Sequence, residues 1–295
     1  MATLLRRRKL GLTSCREISG MSQQGVGFIR NDKPWPVGED VCIRWGTTSN
    51  IPNGVRVVNS AAGIHRVADK RGFRKMLSDA GLCQKTHLEF ETAWHDVPDV
   101  TWPVVIRKKT HAQGRGLWVA SNYQELSRIC QPLGQGNYYF SQLIPKVAEY
   151  RVLVAQGRVV WVAQKTPGNP DDVAWNVNQG GRFDNVRWDG WPPAVIENAL
   201  ASWELSKLHF GGVDVMVDAE GKAYCLEINS APSQTSPYRQ SCMAKTFDWM
   251  LLNDKLNRRE FEPTQHRTWK DSIHPALWEK GRNRSEANAE QESIE

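Results

Sequence analysis

The segment Gly212–Pro232 limits what this chain can fold into more than any other. Two apolar runs, Val213–Val217 and Ala223–Ile228, flank Asp218-Ala219-Glu220-Gly221, a turn of the composition that closes β-hairpins. Successive strand side chains point to opposite faces. Glu227 and Asn229 therefore share one face, with Leu226 and Ile228 on the other, and the hairpin brings Asp214 close to Glu227. Three oxygen-bearing side chains converge inside strands that are otherwise apolar. A hairpin with a solvated polar face would give the same alternation. A few hard oxygen donors at one spot, however, are what magnesium takes when phosphate and water complete its shell.

The rest of the chain must supply a core for that hairpin. Its 295 residues, 40% of them apolar, suffice for two or three subdomains around one cleft. With 38 basic and 32 acidic side chains the net charge is +6. That balance suits anionic partners such as nucleotides and is too small to argue for nucleic acid by itself. The six cysteines (Cys15, Cys42, Cys83, Cys130, Cys225, Cys242) form no C-x-x-C pair and have no His cluster beside them. Zinc is disfavoured, and the cysteines read as reduced thiols. The basic start, Met1–Leu12, is not followed by an apolar stretch of signal-peptide length, and no window reaches transmembrane length. The expectation is a cytoplasmic protein with no membrane partner. Nothing in the sequence speaks to its oligomeric state.

Residues 1 to 30 read as an extended arm or a loose first βα unit. Val41–Trp45 and Val55–Val58 read as strands, Asn59-Ser60 as a helix cap, and Lys70–Ala80 as a helix stopped by Gly81. Pro103–Arg107, the glycine-containing stretch 111–116 and Leu117–Val119 read as a strand, loop and strand, not as a strand-to-helix nucleotide turn. A helix over 122–129 follows, then strands at 138–144, 150–155 and 159–164, the last two joined at Gln156-Gly157. An irregular polar loop spans 171–183, a helix 195–208, and a charged tail from 281 reads as disordered.

The Gly212–Pro232 hairpin resembles the metal-binding hairpin of the ATP-grasp superfamily, as found in D-alanine–D-alanine ligase, glutathione synthetase and the ligase that adds glutamates to a ribosomal protein. The resemblance covers about residues 41–250. It implies an α/β fold of α+β subdomains, with antiparallel sheets gripping ATP and a small N-terminal αβ domain. The implied units are a pre-ATP-grasp region at 1–58, a subdomain with a mobile glycine hairpin at 59–137, one with the metal hairpin at 138–280, and the tail at 281–295. It further implies that Asp214, Glu227 and Asn229 hold magnesium, two ions, with manganese able to replace them.

Other landmarks follow in the family's order. Lys70 resembles the lysine that opens a helix near the cleft. Arg107 stands where the family commonly has lysine, and the alternation Val104-Val105-Ile106 puts it on the face of Val105, with Lys109 as a second cation and Lys108 pointing away. Gly114 and Gly116 resemble the loop that approaches phosphate, where the missing Cβ and free N–H groups matter. Gln142, Leu143 and Ile144 resemble the segment that carries adenine, and Glu149 the acid that accepts from the ribose hydroxyls. Arg151, Lys165 and Asn176 resemble residues beside the transferring phosphoryl group. Ser230, Tyr238 and Arg239 stand where relatives bind the acceptor. The implied activity is ATP-dependent activation of a carboxylate as an acyl phosphate, then coupling to an amine. Its partners would be small-molecule or peptide carboxylates and amines. Competing readings are a regulatory protein that kept the fold and lost turnover, and a nucleic-acid-modifying or nucleic-acid-binding protein, supported only by the charge and the 13 tryptophans.

Overall fold

The computed structural model describes residues 2–6, 27–30, 34–35, 41–89, 100–110, 116–169, 172–175, 180–233, 236–253 and 268–278. Three sheets organise them. The first is parallel, in the order β2-β1-β3-β4, from β1 (Ala2–Arg6), β2 (Gly27–Arg30), β3 (Val41–Trp45) and β4 (Arg56–Val58). Residues expected as an arm or loose βα unit thus contribute two strands, one of them interior to the sheet. Asn59, fully buried with φ 66°, ties the end of β4 to the core. Its Oδ1 accepts from the amides of His209 and Phe210, and its Nδ2 donates to the Phe210 carbonyl. Ser60 then caps α1 (Ala61–Ala68) by accepting from the Gly63 amide, and Asp69 caps α2 (Lys70–Asp79) by accepting from Gly72, as side-chain oxygens do for free N-terminal amides.

The second sheet is antiparallel, in the order β5-β8-β6-β7, from β5 (Thr86–His87), β6 (Val104–Lys108), β7 (Leu117–Ala120) and β8 (Tyr138–Gln142). Val104 and Ile106 pack with Leu126 and Cys130 of α3 (Tyr123–Leu133). The first antiparallel sheet therefore runs through Gln142, one strand past the boundary expected at 138.

The third sheet carries the large core. Its order is β11-β10-β9-β12-β13, from β9 (Ala148–Ala155), β10 (Arg158–Thr166), β11 (Arg182–Val186), β12 (Phe210–Val217) and β13 (Ala223–Asn229). Val186, Val162, Val152, Val213 and Ile228 stand opposite one another across all five strands. This row is apolar throughout. The helix α4 (Pro193–Ser206) packs on β13, β12 and β9. The helix α5 (Pro237–Leu252), which the sequence reading did not assign, lies against β10. A short C-terminal segment with α6 (Trp269–Ser272) returns to the same sheet, where Ile273 bridges Val159 and Trp188, Trp269 and Trp278 pack ring against ring. Cys42, Cys83, Cys130, Cys225 and Cys242 are buried and free. Among the described residues no helix is long and apolar enough to cross a membrane.

Candidate active site

The residue row next to the apolar one reads Asn185, Ala163, Arg151, Asp214, Glu227 across the same five strands. Adjacent rows of a sheet face opposite ways, so one face is valine and the other is charge. That charged face and the β6 side of the second sheet line a cleft. Val105, Arg107 and Leu117 form one wall, Gln142, Leu143 and Ile144 the back, and Lys70, Glu149, Lys165, Asp214 and Glu227 the other wall.

Cations cross-link the carboxylates in this cleft. Arg151 grips Asp214 through two bonds, Nε to Oδ1 at 2.6 Å and Nη2 to Oδ2 at 2.7 Å. Burial works to lower the Arg151 pKa, and Asp214 more than offsets it, so the guanidinium stays charged. Lys70, the first residue of α2, donates to Glu227 Oε2 at 2.8 Å. Asn229 donates from Nδ2 to Glu227 Oε1 at 3.2 Å. Burial would raise the Glu227 pKa; Lys70, Arg151 and the Asn229 amide hold it down at about 2. Asp214, Glu227 and Asn229 thus share one face of one hairpin, with Gly212 opposite Asn229.

Among the described residues no group of three His, Cys, Asp or Glu side chains is placed to hold a metal. The donor set is two carboxylates and an amide. All three carry hard oxygens, both carboxylates line the cleft, and Glu227 is held ionised. The chemistry fits a magnesium ion that shares its shell with phosphate, provided Lys70 and Arg151 yield their places on the carboxylate oxygens.

Glu149 differs from expectation. It is 3% exposed, and both of its oxygens are taken, Oε2 by Lys146 and Oε1 by Lys165. Burial raises its pKa, and the two ammonium groups together bring it below the usual carboxylate range. Each oxygen keeps a lone pair beyond the one its lysine takes, so a ribose hydroxyl would share Glu149 with the two ammonium groups. Lys146 was not singled out in the sequence because it sits in an unpatterned link between strands. Its ammonium also donates to the Val173 carbonyl and lies 4.5 Å from the Trp175 ring centroid. Burial lowers its pKa, with Lys165 and Arg107 adding to the effect.

On β6 the alternation holds. Val105 and Arg107 line the cleft and Lys108 is exposed. Lys109, expected to share the face of Arg107, lies past the end of the strand and is exposed outside the cleft lining. Once a strand ends its alternation no longer holds. Gly116 has φ 72° and closes β6 to β7 by accepting from the Lys108 amide. Leu143 donates its amide to the Pro103 carbonyl at 2.8 Å, which fixes the link behind the cleft. Arg74, also not foreseen, is buried beneath it and donates to the Cys225 and Leu226 carbonyls. Gly114 and Asn176 lie outside the described residues.

Ser230 follows Asn229 and is half-buried. Tyr238 accepts from the Trp188 indole at 3.1 Å. Arg239 is buried over the rings of Trp161 and Phe183, at 5.5 and 5.8 Å. Phe183 also faces Arg151 at 4.7 Å and Lys165 at 5.4 Å. Burial brings the Arg239 pKa down to about 10, helped by Arg151.

A family model described as a RimK-like ATP-grasp domain matches residues 91–245. Among solved structures, the chain is similar to D-alanine–D-alanine ligase from Bacillus anthracis, at 12% identity over 87% of this chain and 96% of that one, with a TM-score of 0.56. It is similar to a RimK domain ATP-grasp protein from Sphaerobacter thermophilus, at 15% identity over 83% and 96%, TM-score 0.55. It is also similar to a RiPP-associated ATP-grasp ligase from Chryseobacterium gregarium, solved with ADP and a leader and core peptide, at 14% identity over 90% and 100%, TM-score 0.56. These likenesses concern the fold. No protein of curated function matches the sequence.

Proposed function

This chain belongs to the RimK-like ATP-grasp family and is an ATP-dependent ligase; we propose that it activates a carboxylate as an acyl phosphate and couples it to an amine. The observation that carries this reading is the charged row on the third sheet, where Arg151, Asp214 and Glu227 stand side by side opposite Arg107 of the second sheet. A site that only bound nucleotide would have less use for so many ionised groups where phosphates would lie.

In the first step a substrate carboxylate oxygen attacks the γ-phosphorus of ATP. The bond to the β–γ bridging oxygen breaks, and ADP leaves with that electron pair. Asp214, Glu227 and Asn229 would hold magnesium, which when bound offsets the charge on the phosphate oxygens. Arg107 binds phosphate from one wall and Lys146 and Lys165 from the other. Nucleotide oxygens compete with Glu149 for those two ammonium groups and with Glu227 for Lys70. Arg151 yields the Asp214 oxygens to the metal and turns to the reacting carboxyl group. In the second step an amine attacks the acyl carbon, phosphate leaves, and the amine gives up a proton. The β6–β7 hairpin covers the site and keeps water from the acyl phosphate. Leu143 and Ile144 offer an apolar back wall to adenine, beside Gln142. The carboxylate comes from a small molecule or a peptide.

The test is an ADP-release screen over pairs of carboxylates and amines, repeated with hydroxylamine as the trap. A productive carboxylate should yield its hydroxamate. ADP release with no hydroxamate would mean that the enzyme stops at phosphoryl transfer to another acceptor.

A further inference from the structure

Val213 and Asp214 of β12 stand opposite Ile228 and Glu227, whereas Val215 stands opposite Cys225. Leu226 is the extra residue between them, a β-bulge in the strand at the edge of the third sheet. The bulge decides where Glu227 points. Without it, Leu226 would pair with Asp214 and Glu227 with Val213. Glu227 would then turn to the valine face, because a slip of one residue reverses the faces of a strand. With the bulge, Glu227 and Leu226 both line the cleft, although simple alternation places Leu226 with Ile228 on the other side.

A bulge needs support, since it leaves main-chain groups without their ladder partners. Here the support is Arg74, a side chain in α2 that is 4% exposed. Its Nη1 donates to the Cys225 carbonyl at 2.5 Å and to the Leu226 carbonyl at 3.2 Å. Its Nη2 donates to Gln84 Oε1, which fixes the fork from behind. The Cys225 amide donates to the Leu82 carbonyl at 2.9 Å. Arg74 stands one turn after Lys70 on α2, so both reach the same strand. Lys70 meets the Glu227 carboxylate, and Arg74 meets the two carbonyls just before it.

We propose that Arg74 is a positioning residue for the reaction: it holds the bulge at Cys225 and Leu226 and so keeps Glu227 on the charged face beside Asp214. A planar fork suits this task, because it serves two carbonyls and an amide oxygen at once. The inference rests on the reading of Asp214, Glu227 and Asn229 as the metal set.

The experiment is calorimetric titration of AMPPNP into the full chain, once in Mn2+ and once in EDTA. The ratio of the two affinities measures how far the metal's contacts with the protein tighten the nucleotide. In Arg74→Met that ratio should shrink by at least about tenfold, with a smaller change in EDTA. Arg74→Lys should recover part of the loss, since an ammonium can still serve a carbonyl. A residue that only stabilised the fold would lower the melting temperature and leave the ratio as it was; that result overturns the proposal. Equal losses in Mn2+ and EDTA also overturn it, because they would assign Arg74 to the nucleotide wall alone. If Arg74→Met does not fold, Gln84→Leu, which frees the fork, should shrink the ratio by less, and an unchanged ratio there overturns the proposal. Absence of any tightening by Mn2+ in the unaltered chain is a different result, and it removes the metal set along with this inference.

Discussion

Arg107 and Lys108 are neighbours in sequence and stand on opposite faces of β6, one lining the cleft and one in solvent. Arg107→Ala should slow turnover by a factor of about 30 to 1000, equivalent to roughly 2–4 kcal/mol of lost transition-state stabilisation. Lys108→Ala should change it little; steady-state ADP release on the two variants checks this. Glu227→Gln should abolish ADP release and leave the circular dichroism spectrum unchanged, because the amide keeps the shape and loses the charge. A variant that still turns over would remove Glu227 from the metal set. These residues were legible in the sequence because strand alternation assigns a face without knowledge of distant contacts. Glu149 was legible as a cleft residue but not in its partners. Its two lysines come from a link and from a neighbouring strand, and only the register of β9 on β10 brings Lys165 to it.

At the scale of elements, the hairpin of β12 and β13 was readable from its turn and its apolar runs, and β11 and α5 were not. β11 reads Arg-Phe-Asp-Asn-Val, an edge strand whose polar residues mask any alternation. α5 buries Arg239, Gln240, Cys242, Met243, Ala244, Phe247 and Met250, which lie on more than one side, so no single apolar stripe marks it. Gly212 ties three of these elements together. A Cβ there would come within 2.8 Å of the Pro232 Cβ and 3.6 Å of the Arg151 Cδ. Gly212→Ala should therefore push the loop after β13 away and disturb the Arg151–Asp214 pair. The expected outcome is a loss of turnover of at least about tenfold with nucleotide affinity little changed. Comparing kcat with the Michaelis constant for ATP separates this from general destabilisation, which would leave both constants of the folded fraction unchanged.

Across the whole molecule, one core joins α1 and α2 to the third sheet and to the C-terminal segment. His274 in that segment is fully buried, accepts at Nδ1 from the Ala276 amide, and has an Nε2 without a partner. Burial pushes its pKa from 6.5 down to about 3, with Arg158 adding to the effect. Between those two values the unfolded chain binds a proton that the folded chain does not. Stability therefore falls as pH drops through that window, by up to about 1.4 kcal/mol per pH unit. In His274→Gln the fall in urea midpoint between pH 6.5 and 4 should be shallower than in the parent; identical slopes would exclude His274 as the cause. The strands β9 and β10 of the third sheet and its metal hairpin could be foreseen, but the return of residues 268–278 could not, because its strand partner Val159 lies more than 100 positions earlier. Val159 is paired by Ile273, and the His274 amide donates to the Val159 carbonyl at 2.8 Å. The cleft side chains named above all precede residue 240, whereas the segment that closes the core is made last. A ribosome stalled short of residue 268 would hold a full set of cleft residues on a sheet still missing its final support. Nascent chains at that point should hydrolyse or ligate nothing, and should be cut by protease within β10.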